Sequence, residues 1–141
     1  MEIFMTHTPL IVRYCETDRM GIVHHSRYYP WFEVGRTDFI RQLGVSYGKM
    51  EEDGVLLPLT ETHCKYLRGA KYEDELVIQT RLTALSPAKC TFSYTVLRGE
   101  EVLARGQTMH GFVDGNFKPL NLKKSRPDWW DMLLSAVEEE T

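Results

Sequence analysis

The chain has 141 residues, the size of a single domain, and is 43% hydrophobic and 26% charged, which excludes a disordered or fibrous protein. Its longest apolar runs, such as Gly54 to Leu59, fall far short of the ~20 residues of a membrane span. Seventeen basic against twenty acidic residues give a net charge of -3, with no basic surplus for wrapping nucleic acid. Three distant cysteines, Cys15, Cys64 and Cys90, form neither a disulfide framework nor a CxxC metal knuckle and read as buried thiols of a reducing compartment. MEIFMTHTPLIVRY has no basic region ahead of its short apolar run, so no leader is expected and a cytoplasmic location is the default.

In chain order, Pro9–Tyr14 reads as a strand and Glu16–Ser26 as a polar, histidine-bearing loop. Tyr28, Trp31, Phe32, Gly35, Phe39 and Leu43 then recur on one face of a 3.6-residue period, predicting a long buried helix. Ser26 is the expected cap, Pro30 fits the first turn, and Gly44 suits the C-terminal end. Gly35 lies in the apolar stripe, which predicts close approach of another backbone. Gly44–Gly48 matches G-x-S-x-G, but a nucleophile elbow needs a strand before the serine and a longer doubly wound chain. A helix end followed by a polar turn, Lys49–Gly54, accounts for these residues.

After the helix the period becomes two. Val55–Leu67, Glu75–Leu85, Cys90–Arg98 and Glu101–Val113 read as strands, the last three joined into an antiparallel meander by Ser86-Pro87 and Arg98-Gly99-Glu100. A Ser125-x-x-Asp128 capping box predicts a C-terminal helix over about 126–139, with Trp130, Leu133, Leu134 and Val137 on one face. One helix layered on one antiparallel sheet is an α+β domain. Such a sheet has one uncovered face, so a homo-oligomer is expected.

The chemistry concentrates before the long helix. Asp18 and Glu16 sit between the first strand and the helix N-terminus, where free N–H groups and a partial positive charge stabilise anions. A carboxylate there can be a simple cap, or a nucleophile or general base beside an oxyanion-binding N–H. Gly21 permits a turn that brings Asp18 back over the helix end. Adjacent His24 and His25 lack the i, i+4 spacing of a two-histidine zinc helix, and one of them facing a cleft is the alternative. Glu33 lies off the apolar stripe, either solvated or lining a cleft. Lys65, Arg68, Lys71 and Lys89 are ordinary surface cations unless they gather around a phosphate.

The pattern Tyr14-x-x-Thr17-Asp18-x-x-Gly21-x-Val23-x-His25-x-x-Tyr28, followed by Phe32-Glu33, resembles the hotdog-fold acyl-CoA thioesterases of the 4-hydroxybenzoyl-CoA thioesterase branch, including the Tol–Pal-associated hydrolases. Tyr66–Val77 (YLRGAKYEDELV) resembles a second stretch of that family, and the likeness spans roughly residues 9–122. It implies a long central helix wrapped by an antiparallel sheet in a single domain, dimerised and often paired again into a homotetramer. It implies hydrolysis of acyl-CoA to carboxylate and CoA, with Asp18 as the catalytic carboxylate and the backbone N–H of His25 polarising the carbonyl. Tyr28 and Phe32 are the expected acyl-pocket lining, with Glu33, Lys65, Arg68 and Lys89 as further candidate substrate contacts. No metal or redox cofactor is implied. Gly69 stands where the family commonly has proline, and the tail with Trp129-Trp130 has no evident counterpart. Two alternatives remain. One is a hotdog hydratase or dehydratase pairing His24 or His25 with Glu33, or Asp18 with His24. The other is a non-catalytic acyl-thioester-binding domain. The acyl group, the choice between CoA and acyl-carrier protein, and dimer against tetramer stay open.

Overall fold

A computed structural model describes residues 3–138. The elements are β1 (Thr6–Ile11), α1 (Tyr28–Gln42), α2 (Tyr47–Glu52), β2 (Leu59–Tyr66), β3 (Glu75–Leu85), β4 (Lys89–Arg98), β5 (Glu101–Gly111), α3 (Leu122–Ser125) and α4 (Pro127–Leu134). The strands form one sheet in the order β1-β3-β4-β5-β2, with every pairing antiparallel. The meander of β3, β4 and β5 is therefore present as expected.

Alternation decides which face the helix covers. Leu76, Ile78, Thr80 and Leu82 of β3, with Cys90, Phe92, Tyr94 and Val96 of β4, are buried, while the alternate residues, Ser93 apart, are more open. Against this face α1 lays Trp31, Phe32, Gly35 and Phe39. Phe32 is fully buried and stacks on Tyr94, with ring centroids 4.4 Å apart. The packing at Gly35 is close, a Cβ there lying 2.5 Å from Thr80 Oγ1, but it is side chains of β3, not the backbone expected from sequence, that fill the space.

A directed chain of hydrogen bonds crosses this core. Arg36 Nε donates to the Tyr47 hydroxyl and its Nη1 to the Tyr94 hydroxyl, each over 3.0 Å. Tyr94 and Thr108 hydroxyls lie 2.6 Å apart, and Thr108 Oγ1 lies 2.8 Å from His110 Nε2. His110 Nδ1 lies 3.1 Å from the carbonyl of Leu57, which can only accept. That carbonyl sets the tautomer. Nδ1 carries the proton, Nε2 accepts from Thr108, and Thr108 in turn accepts from Tyr94. Burial, and then the Arg36 charge, push the His110 imidazole down to about 4, so the ring is neutral.

Several boundaries differ from the sequence expectation. The first strand is Thr6–Ile11 rather than Pro9–Tyr14, because Glu75–Thr80 of β3 pairs with those residues, and Tyr14–Glu16 winds into a 3₁₀ turn. Ser26 does not cap the long helix. His24 Nδ1 accepts from the Ser26 amide, and a 3₁₀ turn, His25–Arg27, runs straight into α1. Pro30 does sit in the first turn, and Gly44 ends the helix with φ +102°. In place of the polar turn Lys49–Gly54 stands α2, whose N-terminus Ser46 caps by accepting from the Lys49 amide.

The Ser125–Asp128 capping box is not formed. Asn121 caps α3, Ser125 ends it, and Pro127 opens α4, which stops at Leu134 rather than near 139. Residues 139–141 lie outside the described residues. Trp129, Trp130 and Leu133 are buried whereas Leu134 is exposed, so the apolar face is rotated toward Trp129. Trp129 Nε1 donates to Asp53 Oδ2 over 2.9 Å, fastening the tail to the segment after α2.

No helix among the described residues is long and apolar enough to cross a membrane. Strands β1 and β2 are the two sheet edges, and most side chains of β2 are exposed. Of the three cysteines expected to be buried, Cys90 is, Cys64 is half-buried and Cys15 is exposed.

Candidate active site

The loop between β1 and α1 is a closed turn. The His24 amide donates to the Glu16 carbonyl over 2.9 Å, and Thr17 bridges Val23. Inside that bridge the Asp18 amide donates to Ile22 O at 2.8 Å and the Gly21 amide to Asp18 O at 3.0 Å. Gly21 has φ +82°, a conformation that glycine adopts without steric cost. The sequence expectation that Gly21 folds Asp18 back is met. The Met20 amide donates to Asp18 Oδ1 over 2.8 Å, and Oδ2 makes no hydrogen bond among the described residues.

The returning arm of the turn is tied to the segment after β2, since the Val23 amide donates to Ala70 O over 2.9 Å. His25 opens the 3₁₀ turn into α1, and the Tyr66 hydroxyl reaches its carbonyl at 3.5 Å. Tyr66 and Tyr28 meet edge to face, 5.0 Å apart. Burial raises the phenols of both above the ordinary range, with Cys64 adding to the effect, so both hydroxyls stay protonated near neutral pH.

Asp18, His25, Tyr28 and Arg68 line one cleft of about 350 Å³, together with Met20, Ile22, Tyr66 and Leu67. Four of the eight residues proposed from sequence are thus brought together. Arg68 pairs with Glu101, which does not line the cleft.

The other four lie elsewhere in the protomer. Phe32 is packed into the core against Tyr94 and lines no cleft. Glu33 is exposed in a separate groove between β1 and α1, near Thr8, Asp38 and Arg41. Lys65 faces the opposite side of the sheet, in register with Arg105. Lys89 is exposed at the start of β4. Two aspects had escaped the sequence reading. Tyr66 and Leu67 wall the cleft, although an alternating strand by itself does not say which face meets the loop. Glu16 is buried at 3% exposure, with its carboxylate on the Trp31 indole, whereas the sequence placed it beside Asp18 in a polar loop before the helix and gave no sign of its burial.

Residues 12–136 match the family model described as the thioesterase-like superfamily. YneP of Bacillus subtilis (strain 168), which carries a provisional name as an acyl-CoA thioesterase, is 38% identical over 84% of this chain and 87% of its own length. Acyl-CoA thioesterase YbgC of Haemophilus influenzae is 30% identical over 82% of this chain and 87% of its own. The crystal structure of a DHNA-CoA thioesterase from Staphylococcus aureus superposes with a TM-score of 0.88 at 31% identity, covering 93% of this chain and 89% of that one. The five-stranded sheet wrapped on α1 is the hotdog fold, and the chain belongs to the thioesterase-like superfamily.

Proposed function

We propose that this protein hydrolyses acyl-CoA thioesters to a free carboxylate and CoA. Asp18 acts as nucleophile or general base, and the backbone N–H of His25 receives the developing oxyanion. One observation carries the reading: Asp18, whose carboxylate keeps a free oxygen, and His25, which opens a helical turn, line the same cleft, whose walls are apolar and aromatic. A thioester is already activated, so one carboxylate and one N–H donor at the oxyanion suffice without a serine triad. Met20, Ile22, Leu67 and the Tyr28–Tyr66 pair suit an acyl or aryl group, and Arg68 at the mouth suits a phosphate. The names of the similar proteins support the same substrate class.

The hydratase reading draws less support. Glu33 and His25 line different grooves of the protomer, so that acid–base pair is not assembled within one chain. The open edge of β2, eight residues long and without proline, supports a homodimer in which two sheets join edge to edge beside Tyr66. A partner placed there adds residues to the cleft mouth, and pairing of dimers into a tetramer is part of the same proposal.

The test is thiol release from short, long and aromatic acyl-CoAs by wild type and Asp18→Asn. Asparagine keeps an oxygen for the Met20 amide but removes the charge and most of the nucleophilicity. Expected is a loss of ~10²-fold or more in kcat with KM little changed. Absence of thiol release by wild type, or a fully active Asp18→Asn, overturns the reading.

A further inference from the structure

We propose that Glu16 is the positioning residue that sets the separation between the Asp18 carboxylate and the His25 N–H. The inference rests on the thioesterase reading of this cleft and extends it to a residue outside the cleft wall.

Glu16 is a charged side chain that water barely reaches, at 3% exposure. Burial works against its ionisation. The Arg13 amide, the Trp31 indole and the Arg13 guanidinium outweigh it and hold the carboxyl below the ordinary glutamate range. An ion is costly to bury, and this one is retained where three chain segments meet. Oε1 accepts from the Arg13 amide over 2.8 Å, and Oε2 accepts from Trp31 Nε1 over 2.8 Å. The Glu16 carbonyl accepts from the His24 amide over 2.9 Å.

These bonds have a common consequence. Through its side chain Glu16 is fastened to α1 at Trp31, one turn beyond the cleft residue Tyr28. Through its carbonyl it is fastened to His24, the residue before the oxyanion donor. Two residues along its own backbone lies Asp18, at the head of the turn that Glu16 and His24 close. The His25 turn runs straight into α1, and Asp18 hangs from Glu16, whose carboxylate is fastened to α1 and whose carbonyl is fastened to His24, so Glu16 fixes where Asp18 stands relative to the donor. A misplacement of ~1 Å in a reacting group can cost ~10²-fold in rate. The two carboxylates of this loop thus divide the work, Asp18 exposed to the cleft and Glu16 anchored beneath it.

Glutamine at position 16 isolates the effect. It keeps the shape and one acceptor oxygen, but turns an NH₂ group toward one of the two N–H donors, so one anchor is lost. Trp31→Phe removes the same α1 anchor from the other side. Thiol release is measured for wild type, Glu16→Gln, Trp31→Phe, the double variant and Asp18→Asn, with Tm recorded for each.

The expected result is a fall in kcat of ~10-fold or more for each single variant with KM within about threefold, and a double variant no slower than the slower single one. That non-additivity marks one shared bond acting on the transition state. A merely structural role moves Tm and the yield of folded protein, and leaves kcat per folded molecule at the wild-type value. If Asp18→Asn loses activity while Glu16→Gln and Trp31→Phe turn over at the wild-type rate, the positioning role of Glu16 is overturned and the thioesterase reading stands. If Asp18→Asn is as active as wild type, it is the thioesterase reading that fails.

Discussion

Gly69 lies directly against Ile22: a Cβ on Gly69 would come within 2.7 Å of Ile22 Cγ2. Ile22 belongs to the Asp18 turn, and its carbonyl holds the Asp18 amide. Position 69 is therefore packed directly against the turn that carries Asp18.

Alanine at position 69 should accordingly push the Asp18 turn outward. Gly69→Ala is expected to lower kcat by ~10-fold with a smaller effect on KM, because a displaced carboxylate is felt mainly in the transition state. Adding Ile22→Ala removes the obstructing methyl groups and should recover much of the loss. Thiol-release kinetics of the single and double variants check this, and an unchanged Gly69→Ala refutes it.

The Arg36–Tyr94–Thr108–His110 chain makes a second prediction. Tyr94→Phe keeps the stack on Phe32 but deprives Arg36 Nη1 of its acceptor and Thr108 of its donor. Leaving buried polar groups unpaired costs about 1–3 kcal/mol. Urea unfolding should show a lower midpoint with an unchanged slope.

A third prediction concerns pH. His110 is held neutral with its pKa near 4, whereas the unfolded chain returns it to the ordinary value of about 6.5. Between these values the unfolded state binds more protons than the native state, so stability falls as pH drops through that window. Unfolded carboxylates titrate mostly below about pH 5, so the interval from 6.5 to 5 reports chiefly on the histidines. Tm of wild type is expected to decline over it, and His110→Gln should flatten the slope. An equal slope in both proteins places the titration elsewhere.

Much of this molecule is legible in its sequence, for physical reasons that differ from element to element. Glu75–Leu85 was read with its observed bounds because a strand covered on one face must alternate, and nothing else in that stretch competes. The Gly21 turn and the Gly44 helix end were legible because only a left-handed backbone explains glycine in those places. The first strand was misplaced by several residues. Thr6–Ile11 and Pro9–Tyr14 are both strand-like, and only the register with Glu75–Thr80 chooses between them. The capping box at Ser125 failed for a related reason: Pro127 is fixed for a helix start, and Asn121 already caps the turn before it.

The candidate site divides along the same line. Asp18, His25 and Tyr28 follow one another in a single turn-helix segment, so local chain geometry sets them on one cleft, and the sequence by itself determined that placement, while the choice of His25 came from the family resemblance. Arg68, Tyr66 and Leu67 arrive from the far end of β2, and only the folded sheet shows that they wall the same cleft. Phe32 and Glu33 are neighbours in the motif, yet helical rotation sends one into the core and the other to solvent. Glu16 shows the limit most plainly. Its charge marks it as a surface residue, and burial became possible only when tertiary structure delivered the Trp31 indole to one oxygen while the local turn gave the Arg13 amide to the other.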